Sequence, residues 1–184
     1  MMALEVSPWA ALLLGLLYFF DETGLVGAAA LPVVAHELGH FLAIRSCGFR
    51  VLGLHLGVAD LRMDYAGGAD RGQELYILLA GPLLGLVYAL AAARLGTSLG
   101  SSFWIISGGI SLVLSLFNLL PALPLDGGRI LYCLSGSMSL ARGCTLVLGL
   151  AMLVLSLVLI LRGWGLGMLL PGCAILGGGL RRQQ

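Results

Sequence analysis

The chain consists mainly of long apolar stretches separated by short polar segments. Six apolar segments lie near residues 8–20, 24–44, 74–93, 101–120, 144–161 and 164–180. A transmembrane α-helix needs about 20 predominantly apolar residues, so the first and last segments are short for a complete span. This pattern predicts an all-α polytopic membrane protein with about six transmembrane helices.

Residues 48–66 follow a different pattern from the apolar segments on either side. Polar and apolar residues roughly alternate along this stretch, and glycines stand at positions 53 and 57. Alternation with a period of two is typical of a half-buried strand, whereas a helix repeats every 3.6 residues. We therefore expect a small, membrane-associated β-like region directly after the second span.

Composition agrees with a location in the membrane. Of the 184 residues, 59% are hydrophobic and 10% are charged, whereas a soluble domain carries about 25% charged residues. The length suits one domain over residues 1–184. The formal net charge of +1 argues against a nucleic-acid partner. The four cysteines form no C-x-x-C pair and are interpreted as small packing residues.

The distribution of arginines predicts the orientation of the chain. With six crossings, most arginines fall on one side of the membrane, namely Arg45, Arg50, Arg62, Arg71, Arg129, Arg142, Arg181 and Arg182. Only Arg94 and Arg162 fall on the other side. Because basic residues accumulate on the cytoplasmic side, both termini are expected in the cytoplasm, with the bacterial cytoplasmic membrane as the location. The first segment lacks a basic n-region and is interpreted as a mature span.

The second apolar segment contains the motif H-E-x-x-H, formed by His36, Glu37 and His40. Ionisable groups are costly in a bilayer and usually mark a functional site. Positions i and i+4 share one helix face, so His36 and His40 can bind one zinc ion, with Glu37 placed to take a proton from its water. The alternative is a structural polar cluster.

A catalytic zinc site usually has three protein ligands, so another ligand must come from elsewhere. Asp126 is the stronger candidate because it follows a span broken by Pro121 and Pro124. Irregular backbone at membrane depth is tolerated only where it is buried in protein or lines a wet cavity. Two alternatives remain: His55 as the ligand, or Asp126 as a solvated residue in a surface loop.

These motifs resemble the site-2 protease family of intramembrane zinc metalloproteases. The resemblance rests on H-E-x-x-H, on N-x-x-P-x-x-P-L-D-G-G from Asn118, and on Ala-Gly-Pro-Leu at residues 80–83; it covers roughly residues 25–135. The compact form is similar to the branch of the sporulation factor IV B protease. The family implies His36, His40 and Asp126 as zinc ligands, Glu37 as the catalytic acid/base, and Asn118 near the substrate carbonyl.

Two features depart from the family pattern. Gly85 occupies a position where the family often has asparagine, which puts in doubt any substrate contact made from that helix. Few residues follow the last predicted span, so neither a PDZ module nor a C-terminal regulatory domain is expected. Substrate selection is therefore expected to depend on the membrane core or on regulatory membrane partners.

The sequence thus predicts an enzyme that cleaves membrane-protein substrates within or near their transmembrane segments. A substrate helix must unwind before its carbonyl can be attacked, and a strand edge in residues 48–66 would hold the unwound peptide by strand addition. One rival is a noncatalytic metal-binding membrane protein, such as a chaperone-like binder or a transporter. The other is a zinc hydrolase acting on lipid or prenyl substrates.

Overall fold

A computed structural model of the chain describes residues 3–57, 61–163, 172–173 and 175–177. The chain is organised in two compact units, Met1–Leu116 and Phe117–Gln184. Within the described residues the elements run in the order β1, α1, α2, β2, β3, α3, α4, α5, α6. Their bounds are β1 Ala3–Val6, α1 Pro8–Phe19, α2 Leu25–Ser46, β2 Arg50–Leu56, β3 Leu61–Ala66, α3 Arg71–Leu99, α4 Ser102–Asn118, α5 Asp126–Ser135 and α6 Met138–Leu161.

Three of these helices are long and apolar enough to cross a membrane, namely α2, α3 and α6. Helix α4 is apolar but has 17 residues, and the predicted segment 164–180 lies mostly outside the described residues. A mostly helical membrane protein is confirmed, whereas the number of six spans stays a prediction.

Helices α2 and α3 both begin beside side chains that accept hydrogen bonds from their first N–H groups. Before α2, the Asp21 carboxylate accepts hydrogen bonds from the backbone N–H groups of Leu25 and Val26 at 3.0 and 2.7 Å. Helix α3 begins with a capping box between Asp70 and Gln73. Both arrangements satisfy N–H groups that have no partner inside the helix.

A three-stranded sheet confirms the β-like region and extends it. Strand β2 lies in the centre, pairs antiparallel with β3 and parallel with β1, and places Glu5 opposite His55. The sequence pattern predicted strands only in residues 48–66. Strand β1 was missed because four residues before the first apolar segment carry too little periodicity to be recognised.

One face of the sheet packs on the helices. Ala43 and Ile44 of α2 and Ile77 of α3 are buried, with at most 5% of their surface exposed. The partly buried residues packed against them include Val51, Met63 and Tyr65 from the sheet. Because Ile44 lies four residues after His40, this core holds the sheet beside the candidate metal-binding turn.

The second unit begins with the segment broken by prolines. Side chains on Gly127 and Gly128 would overlap the backbone of residues 119–123, so this segment folds tightly onto the start of α5. The Leu123 N–H donates a 2.9 Å hydrogen bond to Thr145 Oγ1 of α6. The prolines therefore end α4 and are followed by a new helix whose first residue is Asp126.

Candidate metal centre

Two imidazole rings converge on one face of α2. His36 is buried, with 5% of its surface exposed, and His40 is half-buried one turn later. Their Nε2 atoms lie 3.2 Å apart, although the two rings are nearly perpendicular. The spacing of four residues alone brings the rings to one face, and their rotamers bring the nitrogen atoms together.

The orientation of His40 is set by a neighbouring helix. Its Nδ1 lies 2.8 Å from the backbone carbonyl oxygen of Ile77 in α3. A carbonyl only accepts hydrogen bonds, so Nδ1 carries the proton and the lone pair of a neutral ring is on Nε2. Metal-binding histidines commonly have such a partner, which fixes both the tautomer and the ring orientation.

Glycines allow α2 and α3 to approach closely enough for this contact. A Cβ atom on Gly81 would overlap the His40 ring, and one on Gly39 would overlap the backbone carbonyl of Ala80. Both glycines are buried. The Ala-Gly-Pro-Leu motif at residues 80–83 therefore has a local role here, because Gly81 provides the space that the His40 ring occupies.

The geometry of the histidine pair fits zinc. Two ligands at 2.0–2.1 Å from a tetrahedral zinc ion are separated by roughly 3.3 Å. The observed separation of 3.2 Å between the Nε2 atoms is close to this value. A zinc ion would thus be held by the Nε2 atoms of His36 and His40 without rearrangement of the helix.

Asp126 and Asn118 belong to the second unit. Asp126 is half-buried in the first turn of α5, where the helix dipole favours a negative charge. Asn118 is half-buried at the end of α4. Asp126 as the third zinc ligand and Asn118 as a substrate-binding residue stay predictions.

Glu37 lies between the two histidines in the chain and is half-buried on α2. The helix continues through buried Pro32, one turn before His36. A proline removes one backbone donor, so the Ala28 carbonyl lacks its usual helical partner at that turn. Glu37 and the two histidines are the polar side chains in an otherwise apolar part of this span.

His55, the alternative third ligand, has different partners. Its Nδ1 lies 2.9 Å from Glu5 of β1, and its Nε2 lies 2.9 Å from Asp64 of β3. The two carboxylates face different nitrogens of the ring, so His55 links three strands. This arrangement favours an ion-pair role in the sheet.

Sequence reasoning missed two features that position His40. One is the Ile77 carbonyl, and the other is the room for the His40 ring that the missing side chain of Gly81 leaves. A backbone carbonyl carries no residue-specific signal, so Ile77 could not have been found. Gly81 was noted as part of a motif, but its partner depends on how α2 packs against α3.

Comparisons with known proteins agree with these motifs. The family model described as Peptidase family M50 matches residues 97–159, which include Asn118 and Asp126. Two similar relatives are named as candidate zinc metalloproteases. They are sll0528 of Synechocystis sp., 38% identical over 119 residues, and Rip3 of Mycobacterium tuberculosis, 31% identical over 109 residues. The chain is thus similar to these proteins over part of its length.

A solved structure shares the fold. The site-2 protease from Methanocaldococcus jannaschii matches with a TM-score of 0.73 and 23% identity, over 97% of this chain and 89% of that chain. The sequence matches cover 59% and 53% of this chain. They cover 31% and 27% of the two relatives, so this chain matches less than a third of their length.

Similarity to Peptidase family M50 and to relatives named as zinc metalloproteases supports zinc as the cofactor, and the apolar helices support a membrane location. Both agree with the histidine pair and with the three helices of membrane-crossing length. The similarity to the sporulation factor IV B branch stays a prediction.

Proposed function

We propose that the protein is an intramembrane zinc metalloprotease that hydrolyses peptide bonds within or near the transmembrane segments of membrane-protein substrates. The observation that carries this proposal is the 3.2 Å separation of the His36 and His40 Nε2 atoms, with Glu37 between the two residues on α2. A structural polar cluster requires neither a separation suited to zinc nor a carboxylate beside the first ligand.

In this proposal His36, His40 and Asp126 hold the zinc ion. Bound zinc polarises a carbonyl group and lowers the pKa of water. The Glu37 carboxylate accepts a proton from the attacking water and delivers it to the leaving amine nitrogen. Asn118 donates a hydrogen bond from its side-chain amide to the carbonyl oxygen of the scissile peptide.

Topology gives the expected position of cleavage. If the arginines mark the cytoplasmic side, Arg45 lies at the membrane boundary and His40 lies five residues before it. At 1.5 Å per helical residue, His40 is roughly 7–8 Å inside the membrane. Cleavage is thus expected near the cytoplasmic end of substrate spans. Consistent cuts in the outer half of these spans would contradict the proposed orientation.

The sheet is the candidate site for holding an unwound substrate. Strand β2 already pairs on both sides, with β1 and with β3. An added peptide strand could therefore join the outer edge of β1 or of β3, and the edge within residues 48–66 is that of β3. Within β3, every second N–H points away from β2, and proline at those positions should reduce cleavage without unfolding the sheet.

The decisive experiment compares the membrane proteomes of cells that express wild-type or Glu37→Gln protein. We expect truncated single-span proteins with the wild type and none with the variant, whose amide cannot accept the proton. Zinc content, measured on both purified proteins, should be equal. Full turnover by zinc-loaded Glu37→Gln would exclude the proposed catalytic role. Zinc binding without any cleavage by wild type would favour the noncatalytic alternative.

A further inference from the structure

The backbone between α4 and α5 has few hydrogen-bond donors. Two of the six residues in the range 120–125 are prolines, which have no N–H group, so this segment contains four backbone donors. Three of them donate to carbonyls two or three residues earlier, namely those of Leu120, Ala122 and Leu125. The fourth, the N–H of Leu123, donates to the Thr145 hydroxyl of α6 at 2.9 Å. Thr145 thus joins this segment to α6.

The Thr145 hydroxyl is placed to accept this bond. Thr145 is buried, with 1% of its surface exposed, and it donates its own proton to the Ala141 carbonyl one turn earlier at 2.7 Å. A hydroxyl has one proton, so toward Leu123 its oxygen can only accept, which is what a backbone N–H requires. Leu123 and Thr145 are therefore a matched donor and acceptor, and both residues are buried.

The same peptide group also contacts α5. A Cβ atom on Gly128 would overlap the carbonyl of Ala122 and the nitrogen of Leu123. Gly128 lies two residues after Asp126, in the first turn of α5. The peptide that joins Ala122 to Leu123 is thus held by Thr145 and packs against the helical turn that carries Asp126.

A short and stiff connection leads from this peptide to Asp126. The Leu125 N–H donates to the Ala122 carbonyl at 2.9 Å, which closes a turn over residues 122–125. Pro124 lies inside this turn, and the ring of a proline fixes its φ angle at about −65°. The Leu125 carbonyl then accepts the first hydrogen bonds of α5, at 3.1 and 3.2 Å. A displacement of the peptide would therefore be transmitted to Asp126.

We propose that Thr145 is a positioning residue for the metal centre, because its hydroxyl fixes the turn from which Asp126 would bind zinc. The inference rests on the proposed function, which assigns Asp126 to the ion. Groups that orient a metal ligand without touching the metal commonly change metal affinity by about 10- to 100-fold when they are removed. Thr145 acts through the backbone and not on the carboxylate itself, so we expect an effect at the lower end of that range.

The first test separates the hydroxyl from the shape of the side chain. Thr145→Val keeps the shape, removes the acceptor and should weaken zinc affinity about 10-fold in a chelator titration. Thr145→Ser keeps the acceptor and should bind zinc as the wild type does. Thr145→Cys, whose thiol is a weak acceptor, should give an intermediate value and replaces the valine variant if that variant does not fold. Wild-type zinc affinity in folded Thr145→Val would overturn the proposal.

Ser107→Ala is the control for a loss of stability alone. It removes a buried hydroxyl that shares a 2.7 Å hydrogen bond with Tyr88, far along the chain from residues 120–125. We expect a lower Tm and unchanged zinc affinity. If Ser107→Ala weakened zinc binding as much as Thr145→Val does, the effect at position 145 would reflect stability and the proposal would be wrong.

A second measurement does not involve the metal. In the zinc-free protein, hydrogen exchange of a peptide covering residues 119–126 should be faster in Thr145→Val than in Thr145→Ser, because the Leu123 N–H has lost its acceptor. Equal exchange in the two variants would contradict the proposed role of the hydroxyl.

A double-mutant cycle tests whether Thr145 acts through Asp126. In an Asp126→Ala background, Thr145→Val should cause no further loss of zinc affinity, because the carboxylate that it positions is absent. A further loss of about 10-fold would mean that Thr145 acts on the fold in general, and would overturn the proposal. If Asp126→Ala itself bound zinc as tightly as the wild type, the ligand assignment in the proposed function would be wrong, and the proposal would fail with it.

Discussion

The three histidines of this chain fall into two environments whose neighbours determine different chemistry. His36 and His40 lie on one turn of a membrane-length helix, with their Nε2 atoms 3.2 Å apart. His55 lies in the central strand of the sheet, with one carboxylate 2.9 Å from each ring nitrogen. The side chain is the same, but its partners differ: a backbone carbonyl holds His40, whereas two carboxylates hold His55.

The difference shows how partners select the role of a histidine. A carbonyl at Nδ1 of His40 fixes the proton there and leaves Nε2 available for a metal ion. Carboxylates also only accept hydrogen bonds, so both His55 contacts are hydrogen bonds only when both nitrogens carry protons. A ring in that state has no lone pair to offer zinc. Whether a histidine in this chain can bind a metal ion therefore depends on what its other ring nitrogen contacts.

The largest expected effect comes from removing the proposed third ligand. Asp126→Ala should lose most of its zinc and all measurable cleavage, because two histidines alone hold the ion weakly. Metal analysis of the purified variant, with Glu37→Gln as the control that keeps zinc, checks this. Full zinc occupancy in Asp126→Ala, with loss of zinc in His55→Ala, would show that His55 and not Asp126 is the third ligand.

A smaller effect is expected from displacing His40 without removing it. Gly81→Ala places a methyl group where the His40 ring lies, which should weaken zinc affinity by about 10- to 100-fold. Gly109→Ala is the matched control, because nothing lies within 4 Å of the added methyl group. Titration with a zinc chelator compares the two variants. Equal affinities would show that Gly81 does not position the ligand.

The corresponding change in the sheet should affect stability and leave the metal in place. His55→Ala removes the contacts with Glu5 and Asp64, which are partly exposed and are ion pairs when the ring is protonated, so the free energy of unfolding should fall by about 1 kcal/mol or less. The loss should shrink at high salt because exposed charges are screened. Zinc content is expected to equal that of the wild type. A zinc deficit in folded His55→Ala would contradict the ion-pair role.

The smallest effect concerns the start of the helix that carries the histidine pair. The backbone N–H of Val26, followed by bonds from Thr23 and Leu25, holds the pKa of Asp21 below its ordinary value of 3.8. The stabilisation is present above that value and is lost as pH falls through the lowered pKa. Asp21→Asn should therefore flatten the fall of Tm in acid, whereas Glu22→Gln should leave its slope unchanged.

Much of the architecture could be predicted because its signals are local. The apolar lengths of α2, α3 and α6 and the alternation in residues 50–56 follow directly from burial in a bilayer and in a sheet. The spacing of His36 and His40 required only the helical period. Pro121 and Pro124 signalled a break after α4, although not that Asp126 would begin a helix.

The sequence by itself determined the membrane location, the helical metal motif and the likeness to site-2 proteases, because hydropathy, period and motif spacing are properties of neighbouring residues. Only the tertiary structure decided which groups position His40, which carboxylates hold His55, and that Thr145 holds the segment before α5. Each of these contacts joins elements distant in the chain, and packing alone determines which atoms meet. A backbone carbonyl or an absent side chain acquires a role only from the element packed against it.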